Sequence, residues 1–389
     1  MDRSYDIVLF GATGFTGALT ARYLARNAAP EVRWALAGRN QAKLAAVRDS
    51  LAADNPGTAD LPLLHADATD PASLREIAGS TRVMATTVGP YISHGEPLVA
   101  ACAEAGTDYA DISGEPEFVD LMYLRHHGRA TETGARLVHC CGFDSIPHDL
   151  GAYFTVQQLP EGVPLRVEGF VRADGKMSGG TFRSALTSFS RVPQAAKTAR
   201  ERRRAEPRPA GRTVRALRGA PRHDATAGGW VLPLPTIDPQ VVVRSAAAIE
   251  RYGPDFGYGH YLSVRRLPVA VGLAAGAAGL FALAQVPPAR GFLLTRKLPG
   301  DGPTAQQRAK SWFRVRFAGE GGGQRVVTEV AGGDPGYDET AKMLAESALC
   351  LAFDDLPATA GQVTTAVAMG DALTDRLRKA GIAFTVVER

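Results

Sequence analysis

Three glycines, Gly11, Gly14 and Gly17, stand three residues apart in "VLFGATGFTGALTARYLARN" (Val8–Asn27), where an apolar run gives way to a stretch with helical spacing. Glycines in this setting suit a phosphate. The first permits a tight turn, the second lets backbone approach a pyrophosphate, and the third lets helix and strand pack closely. The start of the helix adds free N–H groups and the positive end of its dipole. Gly11, Ala12, Thr13, Gly14, Phe15, Thr16 and Gly17 are therefore candidate dinucleotide contacts. The spacing is GxxGxxG rather than the commoner GxGxxG, so the reading rests on the strand before it and the helix after it.

The end of the second expected strand chooses between nicotinamide cofactors. A site for NAD places Asp or Glu there to bind the ribose 2′-hydroxyl. Here the stretch is "ALAGRNQAKL", without an acid. Arg39 is placed to meet a 2′-phosphate, with Gly38, Asn40 and Lys43 around it, so NADP(H) is the expected cofactor. The competing reading makes Arg39 and Lys43 solvent-facing charges at a helix start. Asp67, after the third strand, is a candidate contact on the adenine side. In "TTVGPYISHG", Val88, Gly89 and Pro90 would bring backbone to the nicotinamide ribose, with Tyr91 beside it.

These residues need elements to hold them. Strands are expected at Tyr5–Phe10, Val32–Ala37, Leu61–His65, Arg82–Thr87, Thr107–Ala110 and Arg136–Cys140. Helices are expected at Phe15–Asn27, Gln41–Ala53, Ala72–Ala78, Glu96–Ala105 and Pro116–Thr131. Alternating strands and helices build a doubly wound parallel sheet, an α/β Rossmann arrangement, with its ligand at the carboxyl ends of the strands. Further on, Leu165–Arg172, Gln240–Ala248, Trp312–Ala318 and Gln324–Val330 read as strands, and Thr340–Phe353 and Thr364–Ala380 as helices. A chain of 389 residues exceeds one ordinary core, so two domains are expected.

The blocks "FGATGFTG", "LAGRN", "TTVGPY", "GEPLVAACAEAGTDYADISGE" and "CCGFDSIPHDLG", in this order, resemble the saccharopine dehydrogenase-like NADP-dependent oxidoreductases. With "GKMSGGTFRS" (Gly175–Ser184) and "TTAVAMGDALTDRLRKAGIAF" (Thr364–Phe384), the chain looks most like the actinobacterial trans-acting enoyl reductases. The resemblance covers nearly the whole chain. It implies a Rossmann domain at 1–149, an inserted mixed α/β substrate domain at 150–338, and C-terminal helices at 339–389 that return to the first domain. It implies reduction of a carbon–carbon double bond in an acyl chain. Mycobacterial members supply an enoyl reduction that a polyketide synthase lacks, on the way to phthiocerol-type or phenolic glycolipids. The chain departs from the pattern at His148, where a small polar residue is expected.

Enoyl reduction needs a hydride at the β-carbon, a proton at the α-carbon and a donor for the enolate oxygen. The candidates are Tyr91, after the fourth strand, and Asp144 and His148, after the sixth. Tyr91 is neutral at pH 7 and suits an acid, although it can equally just pack against the cofactor. Asp144 can instead cap the helix near Pro147, and His148 can be a partly exposed helix residue. Asp111 and Glu115 in "DISGE" read as turn and cap residues rather than an acid/base pair. His126 and His127 diverge on a helix, and no metal-ligand motif appears, so no metal is expected. Lys176 is a candidate contact to an anionic group or a plain turn residue. Cys140 and Cys141 read as buried packing, and four cysteines without a CxxC pair suit a reducing cytoplasm. The N-terminus carries no signal-peptide pattern.

Composition is that of a globular protein, 45% hydrophobic and 22% charged. The net charge of +4 hides a basic stretch at 197–222, which carries +8 against −4 for the rest of the chain. No aromatic residue lies between Lys197 and Arg222 to stack a base, which argues against nucleic acid. A mobile surface loop is expected there. Its partner would be an acyl-carrier domain of a polyketide synthase, a phosphopantetheine or CoA phosphate, or anionic lipid, or it has none. Leu267–Pro288 contains no charged residue and approaches the length of a membrane span. Three readings stand for it: a buried or homodimer-interface helix, a helix on or dipping into a membrane or touching acyl chains, and a true span. A lipid or acyl-thioester substrate and a cytoplasmic enzyme, peripheral at the inner face of the plasma membrane, are expected. An imine-forming amino-acid dehydrogenase like saccharopine reductase, and a membrane-associated NADP-binding protein without turnover, remain alternatives.

Overall fold

A computed structural model describes residues 3–175, 186–286, 288–289, 291–292 and 302–389 of the chain. Lys176 and most of the "GKMSGGTFRS" block lie outside the described residues.

The first sheet contains β1 (Tyr5–Phe10), β2 (Trp34–Gly38), β3 (Leu63–His65), β4 (Thr81–Thr86), β5 (Asp108–Asp111), β6 (Arg136–Val138) and β14 (Gly361–Val363). Its order is β14-β6-β5-β4-β1-β2-β3, and every pair is parallel. The order reverses direction beside β1, which places the ligand crevice there. Parallel strands are covered on both faces, so they read as continuous apolar runs. In β1, Ile7 and Leu9 enter the core on one face, and Val8 and Phe10 on the other. The helices on the Val8 side are α3 (Pro71–Ser80), α5 (Glu96–Ala105) and α6 (Pro116–Thr133). On the Ile7 side are α1 (Phe15–Asn27), α2 (Gln41–Asp54) and α12 (Asp338–Phe353), which returns from late in the chain. Helices α5 and α6 end at Gly106 and Gly134, both left-handed, a conformation that costs glycine little.

The second sheet contains β7 (Leu165–Asp174), β8 (Thr213–Ala216), β9 (Arg222–Asp224), β10 (Gly229–Pro233), β11 (Asp255–Val264), β12 (Trp312–Gly321), β13 (Gln324–Gly332) and β15 (Ala383–Glu388). The order is β15-β13-β12-β7-β11-β10-β9, with β8 also on β11. It is mixed, because β7 and β8 run parallel to β11 and the other pairs are antiparallel. Helix α7 (Ile146–Val156) joins the two sheets. It follows β6 and lies on β12 so closely that a Cβ at Gly151 would be 2.4 Å from the Phe317 ring. The last strand, β15, ends the chain in the second sheet rather than the first.

Four expectations need correction. Gln240–Ala248 is not a strand but part of α9 (Asp238–Ala248): Pro239 favours a first helical turn, and Val241, Val242, Ser245 and Ala246 bury one helical face. Thr364–Ala380 is two helices, α13 (Thr365–Ala368) and α14 (Gly370–Lys379), broken where Gly370 adopts φ +41°. The stretch 197–222 is not one mobile loop. Its first part belongs to α8 (Val192–Ala205), and Arg202 is buried there, over the Tyr123 ring and paired with Asp120 at 3.2 Å and Glu206 at 3.0 Å. Arg212 donates to the carbonyls of Ala246, Ile249 and Gly253. Much of the basic charge therefore has internal work. Finally, α10 (Leu267–Ala284) is not a buried helix, because only Ala270 and Ala284 are covered.

Candidate functional site

The glycine loop is built as its spacing requires. Gly11 has φ +97°, and the Gly14 N–H donates to its carbonyl at 3.0 Å. A Cβ on Gly17 would sit 2.2 Å from the Gly11 carbonyl oxygen, so no other residue fits there without moving the turn. The loop after β4 closes on the same turn. Thr87 Oγ1 donates to the Gly11 carbonyl at 3.1 Å, and a Cβ on Gly11 would meet Val88 Cγ2 at 2.8 Å.

Helix α1 starts at Phe15 with Gly14 as its N-cap, without a side-chain cap and without an acid in its first turn. Its first N–H groups thus face the loop with nothing negative among the helix's own residues, as a phosphate site needs. Ala12 is buried, Thr13 and Gly14 are exposed, and Thr16 is half-buried. Phe15 turns away from the loop: its ring packs edge-on against Tyr337 at 5.0 Å, with the Arg308 guanidinium over it at 5.4 Å.

At the end of β2, Gly38 is buried, while Arg39 and Lys43 are exposed and have no ion-pair partner among the described residues. Asn40 caps α2, its Oδ1 accepting from the Lys43 N–H at 2.9 Å. Asp67 accepts from both the N–H and hydroxyl of Thr69, which hold its carboxyl below the usual range, with Arg39 adding to the effect. Its carboxylate is thus engaged in its own turn. Gly89 and Pro90 are joined by a cis peptide. These features fit NADP(H): an uncapped helix start, a glycine cradle that a Cβ would fill, and unpaired cations where an NAD site would carry an acid.

Tyr91 is not presented at the ligand edge. It is 5% exposed, its hydroxyl donates to the Thr86 carbonyl at 3.1 Å, and it accepts the Ile112 N–H at 3.3 Å. Burial, with Asp111 nearby, pushes its pKa far above the usual phenol range. Both roles of the hydroxyl are taken by backbone, so the residue packs beneath the loop. Glu115 accepts from the Tyr91 and Ile92 N–H groups at 3.1 and 2.9 Å and so holds that loop, as a capping residue does. Asp111 accepts from the N–H groups of Ser113 and Cys140, both at 2.9 Å, and from the Tyr109 hydroxyl at 3.0 Å, and pairs with His139 at 2.7 Å. It organises the turn from β5 and the one after β6.

The loop after β6 brings up Asp144. Ser145, not Asp144, is the N-cap of α7, so the capping alternative fails. The Asp144 carboxyl lies beside Gly114, where a Cβ would be 3.1 Å from Oδ2, and it has no hydrogen-bond partner among the described residues. Asp144 is exposed to solvent, yet protein surrounds it closely enough that desolvation, with a smaller push from Asp238, raises its pKa to about 7. Asp144 follows β6, on the same carboxyl edge of the sheet as the glycine turn after β1. Beside it, Phe143 packs on Phe313 of β12 at 5.0 Å, and its N–H donates to Thr340 Oγ1 of α12 at 3.1 Å.

His148 is not at that surface. It is 2% exposed, and its Nε2 stands 3.4 Å from Asp238 Oδ1. His260 on β11 approaches the same carboxylate, Nε2 to Oδ2 at 3.5 Å, and Tyr258 meets its Nδ1 at 3.2 Å. Burial pushes His148 down to about 4, so it is neutral. Its side chain is closed off from solvent and packs edge-on against the rings of Phe143 and His260. The ligating atoms of His148, Asp238 and His260 all lie within 4.8 Å of one another. The expectation of no metal therefore needs qualification: no sequence motif marks this group, because its members come from α7, α9 and β11. Cys102, Cys140, Cys141 and Cys350 are free and buried.

Residues 7–138 match the family model described as the saccharopine dehydrogenase NADP binding domain. A Mycobacterium tuberculosis relative with the provisional name trans-acting enoyl reductase is 40% identical over 418 residues, covering 98% of this chain and 97% of the relative. The trans-acting enoyl reductase of Mycobacterium ulcerans is 37% identical over 409 residues, with coverage of 98% and 97%. Among solved structures, apo saccharopine dehydrogenase (L-Glu forming) of Saccharomyces cerevisiae superimposes with a TM-score of 0.54 at 12% identity. That match covers 98% of this chain and 100% of the other. It is a likeness of fold.

Proposed function

The chain belongs to the saccharopine dehydrogenase-like trans-acting enoyl reductase family and is an NADP(H)-dependent oxidoreductase, and on that premise we propose that it reduces the carbon–carbon double bond of an enoyl thioester on a long acyl or polyketide chain. The carrying observation is Asp144: an accessible carboxyl, without a partner among the described residues, on the cofactor edge of the sheet and raised to about 7. An acid that is about half protonated at neutral pH can donate in one step and refill from solvent.

NADPH, when bound, supplies the hydride to the β-carbon. The glycine turn and the start of α1 would hold its pyrophosphate, and Arg39 and Lys43 would meet the 2′-phosphate. Asp144 gives its carboxyl proton to the α-carbon, which takes it as the double bond is lost. The loop after β4, fixed by Glu115 and by the Tyr91 hydroxyl, supports the nicotinamide end.

The test is NADPH oxidation by the purified chain with a panel of enoyl thioesters, with the saturated product identified by mass spectrometry. Oxidation matched by saturated acyl product supports the reading. Oxidation only with an amine and a keto acid would move the chain to imine reduction. NADPH binding without turnover on either class would leave a non-catalytic NADP-binding protein.

A further inference from the structure

Helix α10 is apolar throughout its length and exposed on every side. It has no charged residue, a mean hydropathy of 2.0, and 11% of its residues buried. Val271 is 59% exposed and Leu273 46%. A helix apolar all round belongs in a core or in lipid, because water and a one-sided partner each leave apolar surface uncovered. A second copy docking on one face would still leave the opposite face in water.

The base of the helix is basic. Arg265 and Arg266 precede it directly, at the end of β11. Arg172, on β7, pairs in register beside Arg314 of β12, and Arg316 follows on the same face of that strand. Arg172 is held below its usual range by burial and by the positive charges of Arg265, Arg314 and Arg316. Glu329 takes Arg314 and Arg316 at 3.1 and 3.0 Å. Arg172, Arg265 and Arg266 have no ion-pair partner among the described residues. Arg172, Arg314 and Arg316 also line a small pocket with Ser263.

We propose that α10 lies in one leaflet of an anionic phospholipid bilayer, with Arg265 and Arg172 at its base holding lipid phosphates. Both ends of the helix are fastened to the protein, at Ala270 and Ala284, and Gln285 Nε2 donates to the Phe189 carbonyl at 2.8 Å. Its 18 residues extend about 27 Å, but ends tied to the same body set it along the surface rather than across it. Immersing the helix removes its exposed apolar surface from water, and anionic headgroups supply the charge that the arginine cluster lacks.

Vesicle flotation of the full chain tests this, with phosphatidylcholine alone and with added phosphatidylglycerol. The wild type is expected to float with the anionic vesicles and lose affinity as salt rises. Val271→Asp with Leu273→Asp is expected to weaken binding by about a hundredfold, because carboxylates are costly in hydrocarbon. Arg172→Ala with Arg265→Ala is expected to lose about twenty-fivefold on anionic vesicles, roughly fivefold per arginine, and little on neutral ones. All these positions except Arg172 are exposed, and circular dichroism with NADPH binding checks that the variants fold. Wild type that stays in the aqueous fraction with both vesicles overturns the proposal. So does aspartate-substituted protein that floats like the wild type, or a dimer in light scattering that these aspartates dissolve while no vesicle is bound. An arginine variant that binds like the wild type overturns the headgroup contact. The assay needs no substrate, so its failure and that of the reductase reading are separate results.

Discussion

Asp111 holds Cys140 in a left-handed backbone: Oδ1 accepts the Cys140 N–H at 2.9 Å, and Cys140 has φ +64°. That conformation costs a side chain other than glycine on the order of 1 kcal/mol. Asp111 is fully buried, and the Ser113 N–H, the Tyr109 hydroxyl and His139 also point at it. The loop it fixes ends in Asp144. Asp111→Asn turns one acceptor oxygen into a donor facing donors. It is expected to cost about 3–5 kcal/mol in urea unfolding, and to lower the turnover of whatever protein stays folded. A loss within about 1 kcal/mol would show that the loop does not depend on this carboxylate.

Arg39 is the cation available where an NAD site would hold an acid. Arg39→Ala is expected to weaken NADPH binding by about tenfold to a hundredfold, the loss of one charge-assisted contact, and to leave NADH binding nearly unchanged. Fluorescence titration with both nucleotides reads this directly. Equal loss for both would mean that Arg39 supports the helix start rather than the 2′-phosphate.

Asp144 and Tyr91 separate cleanly by substitution. Asp144→Asn keeps the shape but removes the proton, and kcat is expected to fall by about 10²–10⁴-fold. The wild-type rate is expected to fall as pH rises through about 7, because burial lifts the carboxyl to that value and only its protonated form donates. That limb should vanish in the variant. Tyr91→Phe is expected to keep kcat, since the hydroxyl serves only the Thr86 carbonyl and the Ile112 N–H, and to cost about 1 kcal/mol of stability. A collapse of kcat in Tyr91→Phe, with Asp144→Asn still active, would reverse the assignment.

The cofactor half was legible in sequence for a local reason. Strand, glycine turn and helix lie within Tyr5–Asn27, and each announces itself by spacing or by the need for a bare backbone. The second half was less so. Val241–Val243 look like a strand by their branched side chains, but Asp238 and Pro239 start a helix, and tertiary packing outweighs β-propensity. The arginines of 197–222 look like a patch for a partner. Their charge alone cannot reveal that Asp120, 82 positions before Arg202, waits beneath the helix. From the sequence Tyr91 reads as the better acid and Asp144 as a helix cap, because spacing shows only that both follow strands at the ligand edge. Only burial distinguishes a phenol closed off by backbone from a carboxyl exposed to solvent. His148 was visible as a departure, but its partners Asp238 and His260 lie on other elements, and no spacing links them.

That buried group makes a further prediction through its protonation. Burial lowers His148 to about 4 in the fold, against 6.5 for an ordinary histidine. Between those values the unfolded chain holds a proton that the folded chain lacks. Stability from this residue is therefore full above 6.5 and is lost as pH falls toward 4, by as much as about 3 kcal/mol. Asp144 acts in the opposite sense. Its folded pKa is raised, so the folded chain holds the extra proton and its cost eases as pH falls. In the wild type the two slopes oppose each other across this window. His148→Asn removes only the first, so the variant should gain on the wild type as pH drops from 6.5 to 4, whatever fixed offset the lost Asp238 contact adds. Urea unfolding of both proteins across that range measures the difference. Parallel curves would mean that His148 titrates alike in the folded and unfolded chain, and so is not held neutral beside Asp238.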